Sequence, residues 1–317
     1  MRWIWNHLPP SMRALPIARS YAGYLDRTVR RYADRKQYFA TFFMRNRPEL
    51  ELLNRLVARK SYGSHLDLTV LACSKGPEVY SIAWAIRCKR PDLQLKISAV
   101  DISEEILDFA GRGVYSMERP GMSADQFRGT HAGEDLQSNT DKDQNAWIFE
   151  RLSREELDAM FEVKGNQAHI RSCLKEDIRW ICGDAGSPHL KETLGPQDIV
   201  VANRFLCHMQ PEDARSCLRN IAKMVKSGGH LFVSGVDLEV RSAVAVEMGW
   251  RPVPDMISEI HDGDPSIRRG WPLEYWGLEP LDRSRADWQL RYASVFEIGG
   301  QPPAMPMELA TAEHSGR

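Results

Sequence analysis

The feature that most limits the fold of this chain is a repeated change of period between residues 66 and 235. Short apolar runs that read as buried strands alternate with stretches of three-and-four spacing that read as helices. LDLTVLAC (66–73) is a strand, Glu78 to Lys89 a helix, and LKISAVDI (95–102) a strand. Ser103 to Gly111 is a helix opened by a Ser103-x-x-Ile106 cap that lacks the acid of a capping box. Ile178 to Cys182 is a further short strand, and DIVVANRFL (198–206) another. A helix from Glu212 to Lys226 follows, with Pro211 at its first turn and Gly228-Gly229 at its end, and then the strand HLFVSG. Parallel strands need a crossover that covers a face of the sheet, so this alternation predicts an α/β fold, a doubly wound and mostly parallel sheet.

Upstream, Tyr21, Tyr24, Leu25, Val29 and Tyr32 recur at helical spacing, and a second set runs from Phe39 to Leu56. The expected organisation is a helical segment over 1–60, a main domain over 61–300 whose sheet is completed by YASVFEI, and a disordered tail over 301–317. Residues 119–147 are polar and aperiodic and read as an inserted loop.

Composition narrows the function. With 42 Lys and Arg against 43 Asp and Glu, the formal net charge of -1 lacks the basic excess of a nucleic-acid-binding domain. The basic run Arg13, Arg19, Arg27, Arg30, Arg31, Arg35 and Lys36 reads as a solvated helix face, the alternative being a surface for an acidic partner. Six cysteines without a C-x-x-C pair read as reduced, buried thiols. The opening MRWIWNHLPPSMRALPIA is broken by Pro9 and Pro10, short of a signal peptide or a span, so a cytoplasmic protein without a membrane partner is expected. Nothing in the pattern speaks to oligomeric state.

In an open parallel sheet, ligands bind beyond the carboxyl ends of the strands, where the first strand–helix turn meets an acid ending the second strand. Gly76 and Asp101 hold those places. The acid suits the two hydroxyls of a ribose, whereas the turn has neither G-x-G-x-x-G for a pyrophosphate nor G-x-x-x-x-G-K-[ST] for a triphosphate. A nucleoside cofactor without phosphate fits, and S-adenosylmethionine is the commonest. Asp101 as a cap for the helix starting near Ser103 is the alternative.

ACSKGPEVYSIA resembles the A-x-S-x-G-E-E-P-Y-S-I-A segment of the chemotaxis-receptor methyltransferases, the CheR family, with Ala72, Ser74, Gly76, Glu78, Tyr80, Ser81 and Ile82 in place. In order along the chain, TFFMRNRPEL, SAVDIS, LDFAGRGVY, LSREELDAMF, DIVVANRFLCHM and MVKSGGHLFVSG are similar to further segments of that family, together spanning about residues 41–235. The resemblance implies a Rossmann-like class I methyltransferase fold and S-adenosylmethionine as cofactor. It implies Thr41 and Arg45 at the methionine end with Glu78 beside them, and Asp101 on the ribose with Ile102 next to it. It further implies Ala72, Ser74 and Gly76 in the cofactor turn, and Asp184 and Ala185 at the adenine. Asn203 or Arg204 would line the cofactor after the fourth strand. The family order there is Arg-Asn, inverted in this chain.

Two departures bear on the acceptor. About forty residues precede Thr41, fewer than a helical receptor-docking domain requires, and His208 replaces the family's tyrosine after strand four. The sulfonium methyl is already activated, so a carboxylate or thioether acceptor needs no base. An amine or hydroxyl must lose a proton, and His208 is the one histidine the pattern places at the strand ends; it would equally serve to cap the helix starting at Gln210. After Gly235 the segment 255–292 brings Trp271, Tyr275, Trp276, Trp288 and Tyr292 together with Glu259, Asp262, Asp264 and Glu274. Aromatic faces suit a cationic centre, and acids an α-ammonium. Arg204, His261, Asp262, Trp271, Tyr275 and Trp276 are therefore candidate substrate residues, with the aromatics as plain core the alternative. His261, Asp262 and Asp264 read as a turn and no metal is expected. The expected function is methyl transfer to a small amino-acid-like metabolite, methionine sulfur or a carboxylate being candidates. The alternatives are protein-glutamate O-methylation of chemotaxis type and a cofactor-binding sensor without catalysis.

Overall fold

The computed structural model describes residues 41–118, 147–264 and 280–299. The segment before Thr41, the inserted loop over 119–146, the candidate residues Trp271, Tyr275 and Trp276, and the tail lie outside the described residues.

Helix α1 (Arg47–Ala58) starts only after Asn46, whose side chain accepts from the Glu49 N–H at 3.3 Å. The helical pattern that runs on from Phe39 in the sequence is interrupted before it, because Met44 takes a left-handed backbone (φ 51°). Strand β1 (His65–Leu71), α2 (Pro77–Lys89), β2 (Gln94–Asp101) and α3 (Glu104–Arg112) follow the alternation read from the sequence. Next come β3 (Val114–Ser116), α4 (Arg154–Met160), β4 (Phe161–Lys164), β5 (Gln167–Ile170), α5 (Ser172–Lys175) and β6 (Ile178–Cys182). Then α6 (Leu190–Leu194), β7 (Gln197–Asn203), a 3₁₀ turn (Leu206–His208), α7 (Pro211–Ala222) and β8 (Val225–Ser234). The described chain closes with α8 (Leu238–Glu247), β9 (Arg251–Pro252), α9 (Ile257–Gly263), α10 (Trp288–Tyr292) and β10 (Val295–Ile298).

Seven strands form one sheet in the order β6-β2-β1-β7-β8-β10-β9. The pairs from β6 to β8 are parallel; β10 enters antiparallel between β8 and β9. YASVFEI thus completes the sheet as expected, as its one reversed strand. Period-two alternation sorts the side chains to two faces. Leu66, Leu68, Val70, Ile97, Ala99, Ile199 and Val201 meet α1 and α2 on one side. Leu71, Val100, Val200, Ala202, Leu231 and Val233 meet α7 and α8 on the other. Each fully buried aliphatic side chain contributes roughly 1.5–3 kcal/mol, and covering both faces is what makes the sheet doubly wound.

Three expectations change. Gly228 and Gly229 do not stop a helix: α7 ends at Ala222 and both glycines lie inside β8. The ladder to β7 pairs Gln197 with Val225 but Ile199 with His230, so extra residues bulge out there, where Gly228 is left-handed and a Cβ on Gly229 would stand 2.8 Å from the Asp198 carbonyl. The thiols are not uniformly buried: Cys73, Cys207 and Cys217 are, while Cys88 and Cys173, near charged and polar residues in the sequence, and Cys182, at the end of β6, are exposed. His261, Asp262 and Gly263 close the helix α9 rather than forming a turn, since Asn46 Nδ2 donates to the Ile260 carbonyl at 2.9 Å and docks that helix on α1.

A second, antiparallel sheet, β3-β5-β4, has no counterpart in the sequence reading. Its β4–β5 hairpin turns at Gly165-Asn166, with Gly165 left-handed, a two-residue signal legible in VKGNQA. Phe161 on β4 and Tyr115 on β3 pack edge-on against Phe43 at 5.0 and 5.2 Å, with Phe149 stacked on it at 5.7 Å. This aromatic cluster, with the Met44 N–H donating to Ser81 Oγ at 3.0 Å, fixes the segment that carries Arg45. Among the described residues no helix is long and apolar enough to cross a membrane.

Candidate active site

The carboxyl ends of β1, β2, β6 and β7 share one edge of the sheet. After β1, Ala72 and Ser74 are both left-handed (φ 51°) and Gly76 follows at φ 91°. Such a backbone costs a residue bearing a Cβ on the order of 1–3 kcal/mol and tends to mark functional sites. Hydrogen bonds to β2 hold it: Cys73 N–H donates to the Val100 carbonyl at 3.0 Å, and Ser74 N–H to Asp101 Oδ2 at 2.9 Å. Gly76 is required by its neighbours, since a Cβ would lie 3.1 Å from Ala110 Cβ and 3.2 Å from the Trp180 ring.

Asp101 is 5% exposed and its Oδ1 accepts from Ser103 N–H at 3.2 Å. The capping of α3 is done by Ser103, whose Oγ accepts from Ile106 N–H. Burial pushes the Asp101 carboxyl up, against the backbone amides of Ser74, Ser103 and Ile102, which favour its charge. Beyond β6, Gly183 N–H donates to the Asp101 carbonyl at 2.9 Å, which places Asp184 on the same edge. Asp184 Oδ1 accepts from Gly186 N–H at 2.8 Å, and the Ala185 side chain is packed in the core with Leu190 and Cys217.

Between this edge and α1 lies a cleft of about 530 Å³. Of the residues singled out in the sequence, Arg45, Glu78, Ser81, Ile82, Asn203, Arg204 and Asp264 line it, whereas Thr41, Ala72, Ser74, Gly76, Asp101, Ile102, Asp184 and Ala185 do not. Its centre is a three-residue arrangement. Asn203 Nδ2 donates to Glu49 Oε1 at 2.7 Å and to Glu78 Oε1 at 2.8 Å, while Asn203 Oδ1 accepts from Ser234 Oγ at 2.8 Å. One amide thereby spaces two carboxylates from different helices. The Glu49 carboxyl is pushed up to about 7 by withdrawal from water and by the charge of Glu78, against Asn203, Arg204 and Arg45. Burial raises Glu78 as well, opposed by Asn203, Arg45 and Arg204. Glu49 was missed in the sequence because an acid in a first helical turn ordinarily answers the helix dipole; its place four residues after Arg45 was the available signal.

Arg204 is paired with Asp264, which follows α9, so the inverted Asn-Arg order has a structural meaning: the asparagine faces the two acids and the arginine ties β7 to α9. Arg204 is left-handed (φ 62°) and lies against Gly235, itself at φ 62°, where a Cβ would stand 2.7 Å from Arg204 Cα. Gly235→Ala is therefore expected to lower stability by about 1–3 kcal/mol, read as a lower denaturant midpoint with an unchanged slope.

A second cleft of about 420 Å³ adjoins the first, sharing Asn46, Glu49, Ser234 and Asp264. His261 lines it, with its ring edge-on to Tyr292 at 6.2 Å and Nδ1 3.2 Å from Asp262 Oδ1; Asp262 itself is turned to solvent. His208 closes the 3₁₀ turn and lines neither cleft. Among the described residues no three metal-ligating side chains gather.

The order of the large sheet, with one reversed strand beside a parallel set, and the acid at the end of β2 define a Rossmann-like class I methyltransferase domain. Residues 40–139 match the family model described as CheR methyltransferase, SAM binding domain, and residues 154–233 match one described as Methyltransferase domain. The chain therefore carries a divergent, CheR-like S-adenosylmethionine-dependent methyltransferase domain, and its cofactor is S-adenosylmethionine.

Among curated proteins, phosphoethanolamine N-methyltransferase 1 of Triticum aestivum is 31% identical over 77 residues, 24% of this chain and 16% of the wheat protein's length. The N-methyltransferase NodS of Bradyrhizobium japonicum WM9, solved with S-adenosyl-L-homocysteine, is 14% identical, covering 73% of this chain and 87% of that one at a TM-score of 0.35. Magnesium protoporphyrin IX methyltransferase of Synechocystis PCC 6803, solved with S-adenosylmethionine, is 16% identical, covering 75% and 86% at a TM-score of 0.34.

The residues present fit this cofactor. A buried carboxyl whose proton affinity is raised, as that of Glu78 is, is relieved by a cation, and S-adenosylmethionine carries an ammonium. Arg45 is at hand for its carboxylate, and Asp101 stands where a ribose diol is bound in such folds.

Proposed function

We propose that the protein transfers a methyl group from S-adenosylmethionine to a small amino-acid-like metabolite bearing an amine. The observation that carries this is Glu49. It lines the cleft beside Glu78, from which Asn203 spaces it, and burial and the charge of Glu78 push its carboxyl up to about 7. A thioether or carboxylate acceptor has no use for such a group; an ammonium must surrender a proton before its nitrogen can attack, and a base works best with a pKa near the working pH.

When bound, the cofactor supplies a methyl group already activated on sulfur. The chain's own residues hold and orient. Glu78 accepts from the cofactor's ammonium, Arg45 donates to its carboxylate, and Asp101 accepts from ribose hydroxyls. Glu49 accepts the acceptor's N–H and takes its proton, while Asn203 keeps the two acids from merging into one shared-proton pair. Leu50, Leu53, Val201 and Phe232 form the apolar wall that strips water from the nitrogen. The wheat relative, whose name is that of a phosphoethanolamine N-methyltransferase, supports a small amine as acceptor.

The test is incubation of the full chain with methyl-labelled S-adenosylmethionine and a metabolite extract. Label is expected in small, base-stable products. Label entering protein as base-labile esters would replace this reading with glutamate O-methylation, and binding without any transfer would replace it with a sensor.

A further inference from the structure

We infer that the second cleft receives the opposite end of the acceptor, and that this end is an oxyanion, a carboxylate or a phosphate, held by Arg241 and Ser294. This deepens the proposed function and rests on it for the identity of the amine end.

Arg241, on α8, lines the second cleft and is 3% exposed. Its Nη1 donates to the Val233 carbonyl at 3.1 Å and its Nη2 to the Arg291 carbonyl at 2.7 Å. Its Nε hydrogen has no acceptor among the described residues. Among the described residues no carboxylate pairs with it: of the acids lining the cleft, Asp264 is paired with Arg204 and Glu49 accepts from Asn203, and the acid nearest in sequence, Glu239, is bound by Arg291 at 2.8 Å. Burial and the neighbouring Arg291 both weaken its hold on its proton, bringing it down to about 10, and no acid opposes them. A buried charge left without a counterion is among the costlier arrangements a fold can keep. If Arg241 only fastened α8 to two carbonyls, a neutral amide would serve.

Ser294 is an independent second observation. It lines the same cleft, is 9% exposed, and its Oγ has no partner among the described residues. Buried polar atoms are seldom left unsatisfied, and two lining one cleft point to something that answers both. An oxyanion does: it accepts from a guanidinium and a hydroxyl together, and it neutralises Arg241. The two clefts share Glu49 and Ser234, so one ligand can span them with its nitrogen at Glu49 and its anion at Arg241. The acceptor class is accordingly a short bipolar molecule, an amino acid or an amine phosphate.

The experiment uses the full, ¹⁵N-labelled protein saturated with S-adenosylhomocysteine, the Arg241 Nε–Hε resonance being assigned by its loss in Arg241→Lys. Sodium phosphate or sodium acetate is expected to shift that resonance saturably, where sodium chloride at equal ionic strength does not. Response to phosphate alone marks a phosphate end, and response to acetate alone a carboxylate end. Ser294→Ala should weaken the response at least threefold. In a parallel arm, phosphoethanolamine or β-alanine should bind at least tenfold tighter than ethanolamine, and Arg241→Gln, checked for intact cofactor affinity, should reduce that preference to within twofold. If neither anion moves the wild-type resonance beyond chloride, the site is overturned and Arg241 is a structural tie, whatever the methylation assay shows. If the anions bind but no amine is methylated, the oxyanion site stands and the proposed function fails.

Discussion

Asp101→Ala is expected to weaken S-adenosylmethionine binding by roughly 30- to 4,000-fold, the equivalent of ~2–5 kcal/mol for removing a buried charged hydrogen-bonding partner. Two losses combine. The acceptor for the ribose hydroxyls disappears, and so does the acceptor for the Ser74 and Ser103 amides, which hold the left-handed turn after β1 in place. The second loss also lowers stability, because each amide left buried without a partner costs about 1–3 kcal/mol. Calorimetry with S-adenosylmethionine, alongside thermal melts of the free protein, separates the two. Unchanged affinity in a folded variant would remove Asp101 from the cofactor site, and NAD, titrated as a control, should give no heat.

Glu49→Gln should lower kcat for methyl transfer by about 10²- to 10⁴-fold, the usual worth of a positioned general base, with cofactor affinity little changed. The amide keeps the shape of Glu49 but cannot accept a proton. In the wild type, kcat/KM should rise with pH through about 7, as Glu49 loses its proton under the joint influence of burial, Glu78, Asn203, Arg204 and Arg45. That rise should be absent in the variant. Stability runs the opposite way. The folded protein keeps a proton on Glu49 that the unfolded chain releases near 4.5, so this stabilisation is full below 4.5 and is lost as pH climbs toward 7. Glu78 and Asp101, both raised, act in the same direction. Denaturant midpoints from pH 5 to 8 should therefore fall more steeply for the wild type than for Glu49→Gln. A flat kcat/KM profile with full activity in the variant would dismiss Glu49 as the base.

The residues proposed to hold the cofactor were legible because each belongs to a local pattern. Gly76 and Glu78 sit at a strand-to-helix turn, Asp101 at the end of an apolar run, and Asn203-Arg204 at the end of another. The residues proposed to meet the acceptor were not. Glu49, Asp264, Arg241 and Ser294 come from α1, the end of α9, α8 and the start of β10, and they meet only because α9 docks on α1 and β10 inserts between β8 and β9. For a related reason His208 is not among the residues lining either cleft: proximity in sequence to β7 puts it at the end of the 3₁₀ turn.

What the amino-acid sequence determined by itself is the alternating strands and helices of the large sheet, since period, caps and turn residues act over a few neighbours at a time. The strand order, the reversal of β10, the small antiparallel sheet that positions Arg45, and the spacing of two acids by Asn203 were decided by tertiary structure alone. These depend on which faces pack together across more than a hundred residues of chain, as the Asn203 to Glu49 bond does across 154 positions. A pairing at that separation leaves no trace in local periodicity, and the proton affinity of Glu49 arises only once the folded cleft withdraws it from water beside Glu78.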